Sequence, residues 1–278
     1  MMSATVFVIV LFAAALHATW NAIVKGTEDT VLTTAMVTGS AALLAALALP
    51  FVTQPAPESW AFIAVSVAVH IAYFALVAWA YHFADMSQAY PLMRGTAPLL
   101  VAITSGYWIG EHLSAAGWIG VSTICVGILS LAFGSRGANT RGIALAMLNA
   151  FVIAGYTLLD GIGARLSGAP FAYNMWMFLL TGSLFALWAL VAKRRKFTRY
   201  VARYWHLGLI GGFGTLASYG LVLWAMTLAP VAIIAALRET SILFGTAIAG
   251  ITLSERISLG RLTAVGAVAC GAIVLRLT

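Results

Sequence analysis

Ten apolar runs, each about twenty residues long and separated by short connectors, account for almost all of this sequence. They are expected over residues 4–24, 32–53, 58–82, 88–109, 114–133, 140–162, 170–192, 204–227, 230–252 and 257–277. About 20 apolar residues in a helix cross the hydrocarbon core of a bilayer. Inside that core each backbone N–H and C=O must be satisfied within the chain. The pattern therefore predicts an all-α integral membrane protein of ten transmembrane helices, with little chain left for loops or a separate soluble domain. Charge content agrees, since 8% of the 278 residues are charged and 62% are apolar. A soluble domain carries roughly a quarter charged residues.

The small-residue stretch Ala13-Ala14-Ala15-Leu16-His17-Ala18 has the look of a signal-peptide cleavage region. The opening Met1-Met2-Ser3-Ala4-Thr5 lacks the positive charge of such a leader, so the segment is read as a first membrane helix. Connectors are marked by Thr53-Gln54-Pro55-Ala56-Pro57, Gly134-Ser135-Arg136-Gly137 and Lys193-Arg194-Arg195-Lys196. Trp60, Trp118, Tyr200, Tyr204 and Trp205 fall near expected span ends, where interfacial aromatics sit. Connectors this short make neighbouring helices antiparallel.

The net charge of +7 does not point to nucleic acid, because the cations lie mainly in connectors rather than on a basic face interleaved with aromatics. Connectors 1–2, 3–4, 5–6, 7–8 and 9–10 hold Lys25, Arg136, Arg141, Lys193, Arg194, Arg195, Lys196, Arg199, Arg203, Arg256 and Arg261, whereas the other side holds Arg165 and Arg276. Eleven against two places the first set in the cytoplasm and both termini outside, in a multi-pass protein of the inner (plasma) membrane. The basic run at 193–203 also fits a lipid or partner site. Cys125 and Cys270 lie inside apolar runs and are read as buried free cysteines, not a disulfide framework.

An internal repeat is visible. Arg94-Gly95-Thr96-Ala97-Pro98-Leu99 with Gly110-Glu111 matches Arg238-Glu239-Thr240-Ser241-Ile242-Leu243 with Ser254-Glu255, and the arginine-to-glutamate spacing is 17 in both. Trp79-Ala80 and Ala84 match Trp224-Ala225 and Ala229, and Ala18 and Trp20 correspond to Ala154 and Tyr156. The chain is expected to divide into residues 1–135 and 136–278, five helices each. An odd number turns the second half upside down relative to the first, giving the inverted repeat of many secondary transporters.

These features resemble the ten-helix EamA-type members of the drug/metabolite transporter superfamily. The resemblance covers the whole length. It rests on the two five-helix halves, on the Arg…Pro-Leu…Gly-Glu pattern closing the fourth helix with its echo through Glu255, and on Leu16-His17-Ala18-Thr19-Trp20-Asn21 with Lys25 beyond. It implies a basket-like bundle with a central cavity, alternating access, and export of amino acids or similar amphipathic metabolites. The chain is similar in this to bacterial aromatic amino-acid exporters. The second copy departs from the first where Glu239 and Ile242 replace Gly95 and Pro98.

Ionisable groups at membrane depth are costly and usually face a cavity or one another. Arg238 and Glu239 lie near the middle of the expected ninth helix. Arginine suits a carboxylate and glutamate an amine or a proton; the competing reading is a polar network tying helices together. Arg94, between Pro91 and Pro98, is expected to satisfy carbonyls that the prolines free, in a structural or gating role. In the first helix His17 and Asn21 share a face beside Trp20, and in the sixth Asn149, Tyr156 and Asp160 share one. These two faces are expected to look at each other across the cavity. His70, Tyr73, Val77 and Tyr81 share a face of the third helix; Thr215, Ser218, Tyr219 and Trp224 are presented by the eighth. Aromatics with a few polar groups suit a small amphipathic ligand, although each aromatic is also a plausible packing residue. Glu111 and Glu255, with Ser114 and Ser258 three residues on, are read as loop and helix caps. Gly106 and Gly110, like Gly208 and Gly212, form GxxxG pairs for close helix approach.

Two other classes compete. An intramembrane enzyme would need a site assembled from separate helices, because the five histidines form no HExxH and no Gly-x-Ser-x-Gly appears. A ligand-binding receptor would not need an inverted repeat. No Walker A motif is present, so facilitated diffusion or proton-coupled antiport is expected, with no cofactor, no metal and no catalytic residue. The expected partners are a small-molecule substrate (an amino acid or related metabolite) and the lipid bilayer, with no nucleic acid. One chain already holds both halves, so a monomer is expected.

Overall fold

The structure is a computed structural model that describes residues 2–134, 139–252 and 258–277. The described residues are helical throughout their ordered elements, with no strand among them. The helices are α1 (Ala4–Lys25), α2 (Thr30–Ala48), α3 (Trp60–Phe83), α4 (Met86–Trp108), α5 (Ala115–Ser130), α6 (Thr140–Ser167), α7 (Pro170–Ala192), α8 (Arg194–Met226), α9 (Val231–Arg238), α10 (Ser241–Thr252) and α11 (Leu259–Leu277). Ten membrane spans result, because α9 and α10 together make the ninth. Eight are long and apolar enough to cross a membrane by length and composition alone. The other two are α4, which carries Arg94, Pro91 and Pro98, and α5, which has only 16 residues.

Local chemistry starts and stops several of these helices. The side chains of Ser3, Asp29, Ser114 and Asn139 accept hydrogen bonds from the first-turn N–H groups of α1, α2, α5 and α6. Gly168 ends α6 with φ of 60°, and Gly110 follows α4 with φ of 74°. Gly110 thus turns the chain and takes no part in a GxxxG contact, and the nearest neighbours of Gly106 are Glu111 and His112, so that expected pair does not pack helices together. Arg136, Ser254, Glu255 and Arg256 lie outside the described residues.

Helix packing repeats about a pseudo-two-fold relation between the halves. α2 packs on its counterpart α7, α5 on α11, and α4 on α9. α3 packs on α6 as α8 packs on α1, and α4 meets α6 as the ninth span meets α1. Small residues let these backbones approach. A Cβ on Gly212 would lie 2.8 Å from the Ala41 backbone nitrogen, and one on Gly271 would lie 2.8 Å from the Gly120 carbonyl oxygen. Without a hydrophobic driving force between helices in lipid, such close packing is a main source of association. Cys125 is buried between α5 and its neighbours as expected, but Cys270 is exposed on the outer wall of α11, a correction to its expected burial; both are free.

α8 begins ten residues before its expected span, and its backbone breaks at Tyr204 (φ −119°, ψ 16°). The segment before the break runs along the end of the bundle. Phe197 is buried against Leu32, Ala35 and Met36, Tyr200 Oη lies 2.6 Å from Thr33 Oγ1, and Lys196 Nζ donates to Asp29 Oδ2 at 2.7 Å. Lys196, with the Leu32 N–H, holds the Asp29 carboxyl below its usual range. A carboxyl depressed in the folded state stabilises the fold above about pH 4, and that contribution is lost as pH falls through its lowered value.

Gly212→Leu is expected to destabilise the protein by about 1–3 kcal/mol, since the α2 backbone must move to admit it. Gly155→Ala, where an added Cβ meets nothing within 4 Å, is expected to be neutral or slightly stabilising. Thermal melts of the two purified variants in detergent check this.

Candidate functional site

The ninth span does not run straight through. α9 ends at Arg238, Glu239 and Thr240 form a turn, and α10 begins at Ser241. The turn is closed by i→i+3 bonds, from Glu239 N to Ala236 O and from Thr240 N to Leu237 O at 3.0 Å each, and the Thr240 hydroxyl donates to Leu237 O at 2.6 Å. A threonine bonding back to its own helix competes with the next α-helical bond. The break places Arg238 at the negative C-terminal end of one half-helix and Glu239 at the positive N-terminal end of the next. Both placements are favourable for the charge concerned. The expected ninth span, 230–252, is thus built of two half-helices.

Glu239 is paired with Arg94 from the other half. Arg94 Nε donates to Glu239 Oε2 at 2.9 Å, and Arg94 Nη2 lies 2.9 Å from Oε1. Both side chains are buried, at 7% and 4% exposure. Arg94 was expected to satisfy carbonyls freed by Pro91 and Pro98; a carboxylate on the facing helix takes it instead. Arg238 stands next to this pair, its Nε 3.9 Å from Glu239 Oε1, and its guanidinium lies 5.9 Å from the centre of the Tyr219 ring.

Tyr219, on α8, links this charged group to a second one. Its hydroxyl donates to Asp160 Oδ2 at 2.6 Å, and Tyr173 donates to Asp160 Oδ1 at 3.0 Å. Asp160 is fully buried and both its oxygens are engaged. Around Tyr219 stands an aromatic group. His70 lies 4.3 Å from Tyr156, 6.2 Å from Tyr219 and 6.5 Å from Tyr73, centre to centre, and Phe178 lies 6.4 Å from Tyr219. His70 and Tyr73 from the first half thus meet Tyr156, Phe178 and Tyr219 from the second, and His70, Tyr73 and Tyr219 are only half-buried.

The remaining expected residues divide. Trp20 Nε1 donates to His17 Nδ1 at 3.3 Å, but Asn21 spends its amide on the His17 carbonyl of its own helix at 2.7 Å. Ser218 is buried and donates to Ala13 O at 2.8 Å, so it ties α8 to α1 and is not free to face a ligand. Tyr81 packs against the apolar group that includes Ala89, Met93 and Ala146. Asn149 is buried against Met93. Tyr173 and Phe178 were not anticipated. Neither carries a charge, and their spacing in α7 resembles that of the lipid-facing aromatics around them.

Glu111 is also more than the local cap it was read as. Its Oε2 accepts from the Val231 N–H at 2.8 Å, at the start of α9, and its Oε1 pairs with Arg165 at the end of α6. Arg165 in turn donates to Met226 O at 2.8 Å and Ala229 O at 3.1 Å. A residue of the first half therefore caps a helix of the second. Ser114 caps α5 as expected. Among the described residues no three His, Cys, Asp or Glu side chains converge as a metal site.

The sequence pattern of the EamA-like transporter family matches residues 4–133 and, a second time, residues 140–277. The chain belongs to the EamA-like transporter family. As a member it is a multi-pass membrane transporter, within the drug/metabolite transporter superfamily. A crystal structure, titled only as that of a protein, superposes with a TM-score of 0.72 over 100% of this chain and 99% of the other at 20% identity, which shows the fold. The y4nH protein of Sinorhizobium fredii, described as uncharacterized, is 40% identical over 50 residues, covering 18% of this chain and 43% of that protein. This EamA-like chain thus spans under half the length of that curated relative.

Glu239→Gln is expected to cost about 3–5 kcal/mol of stability, because the buried Arg94 guanidinium loses its counter-charge. The double variant Arg94→Met with Glu239→Met is expected to cost less than Glu239→Gln alone. Denaturation of the three proteins in the same detergent tests the ordering.

Proposed function

We propose that this EamA-like protein is a secondary transporter that exports small amphipathic metabolites, neutral and aromatic amino acids first among them, by alternating access to a site between its two halves. The observation that carries this reading is the aromatic group of half-buried His70, Tyr73 and Tyr219 with buried Tyr156, adjoining buried Arg94, Arg238 and Glu239 at mid-membrane. Apolar walls with a few convergent polar groups are what a small amphipathic ligand requires. Inverted repeats place such sites at the repeat interface, beside broken helices. His17 and Trp20 extend the same interior along α1. Asp160 holds Tyr173 and Tyr219 in place, and Tyr81 lines the approach. Asn21 and Ser218 support the wall through their backbone bonds.

The halves are proposed to divide at 135/136, and one chain to work as a monomer in the inner membrane with both termini periplasmic. On this orientation Glu111, Arg165 and the start of α9 form a clasp on the periplasmic side. Transport without covalent chemistry needs no cofactor. Glu239 is neutralised by Arg94 at closest range, which favours facilitated exchange over proton coupling through that carboxylate.

Uptake and counterflow in proteoliposomes, with labelled neutral, aromatic and hydroxylated amino acids, test the assignment. Saturable flux above empty liposomes is expected, highest for aromatic cargo, and Tyr219→Ala is expected to lower it about ten-fold or more. Absence of flux across the panel in folded protein sinks the amino-acid assignment. Orientation is checked with single cysteines in a cysteine-free background. A membrane-impermeant maleimide is expected to label position 3 from outside intact cells and position 199 only after lysis.

A further inference from the structure

Three buried charges meet at the middle of the bundle, and they do not balance locally. Arg94 donates from Nε to Glu239 Oε2 at 2.9 Å and brings Nη2 to 2.9 Å from Oε1, the latter a close ionic contact outside hydrogen-bond geometry. Arg238 is left 3.9 Å away, beyond the reach of an N–H···O hydrogen bond. Its side chain is only 5% exposed, and its Nε is enclosed with no hydrogen-bond partner among the described residues. A guanidinium carries five N–H donors and stays protonated under any ordinary condition. An ion of this kind inside a membrane normally pairs with a carboxylate or a set of carbonyls. Here the carbonyl end of α9 and the face of Tyr219 steady the cation, and neither answers its charge with an anion.

The other anion in the neighbourhood cannot serve. Asp160 has one tyrosine hydroxyl on each oxygen and is fully buried. The charge left without a close partner in this interior is therefore positive, and it sits on a planar fork suited to two parallel bonds with a carboxylate.

Resting on the transport reading above, we propose that Arg238 receives an acidic group of the cargo, so that the site takes small amphipathic carboxylates and discriminates against the same molecules lacking the acid. The placement of Tyr219 supports this. Its ring lies beside the guanidinium at 5.9 Å and beside His70 at 6.2 Å. A molecule with its acid on Arg238 thus lays its apolar part on the rings of Tyr219, His70 and Tyr156. One available guanidinium matches a single negative charge. A phosphate dianion would call for a second cation, and the nearest one, Arg94, is held by Glu239.

The test uses the full-length protein in proteoliposomes, as wild type, Arg238→Lys and Arg238→Met, with labelled tryptophan counterflow as the readout. Two competitors differ in the group at issue: 3-indolepropionate has the acid and no amine, and tryptamine has the amine and no acid. In the wild type the acid is expected to compete about ten-fold better or more. Arg238→Met is expected to erase that difference, with Arg238→Lys keeping part of it. The melting temperature separates binding from a purely structural role. Losing a buried charge that no anion hydrogen-bonds leaves Arg238→Met at or above the wild type, whereas a structural arginine gives a drop. If tryptophan is not carried at all, the amino-acid assignment fails, and the inference is then read from thermal stabilisation of the purified protein by the two compounds, which needs no flux. Equal effects of acid and amine on the wild type, no effect of either, or intact discrimination in Arg238→Met each overturn the proposal.

Discussion

The contact on which the rest of this bundle depends is the pair between Arg94 and Glu239. In a low-dielectric interior either charge alone would be strongly unfavourable, and their mutual attraction is correspondingly large. The pair spans the two halves, joining α4 to the turn between α9 and α10. Its position explains why the ninth span can break at mid-depth. The polar turn at Glu239 and Thr240 is buried among protein side chains, Arg94 included, which is the condition for irregular backbone inside a membrane. The Glu111–Arg165 contact repeats the theme at one end of the bundle, where a carboxylate from one half holds the start of a helix in the other.

Packing is close but unequal between equivalent places. α2 lies tightly along α8, with Gly208, Gly211 and Gly212 against Met36, Val37, Ser40 and Ala41. The counterpart pair, α7 with α3, touches more lightly. The two halves are therefore alike in topology and unlike in how tightly equivalent helices meet. Helices packed at backbone distance slide as units, so glycine placement bears on motion as well as on stability.

Much of the architecture was legible in advance because hydropathy is a local property. The ten spans, the caps at Ser114 and Ser258 and the two-repeat plan all follow from short stretches of sequence. The ion pair was not legible, since its partners are 145 residues apart and no local rule joins Arg94 to Glu239. The prolines on either side of Arg94 suggested a nearer use for it. The break after Arg238 lacks glycine and proline, and its only local sign is the pair Thr240-Ser241, whose hydroxyls compete with helical hydrogen bonding. Among the candidate residues, His70, Tyr73, Tyr156 and Tyr219 do converge. Ser218 and Asn21 lie on the expected faces, but their polar atoms are spent on backbone carbonyls. Periodicity says which way a residue points, and it is silent about whether the residue still has a bond to give.

Glu239 stands where the first half has Gly95, and that difference sets how far the halves can substitute for each other. Gly95 is wedged so tightly that a Cβ there would come within 2.7 Å of Leu129, so no glutamate fits at the matching place. An assembly of two identical first halves would bring two arginines together with nothing between them. The carboxylate on one half alone therefore makes the halves chemically distinct, and a duplicate of the first could not stand in for the second.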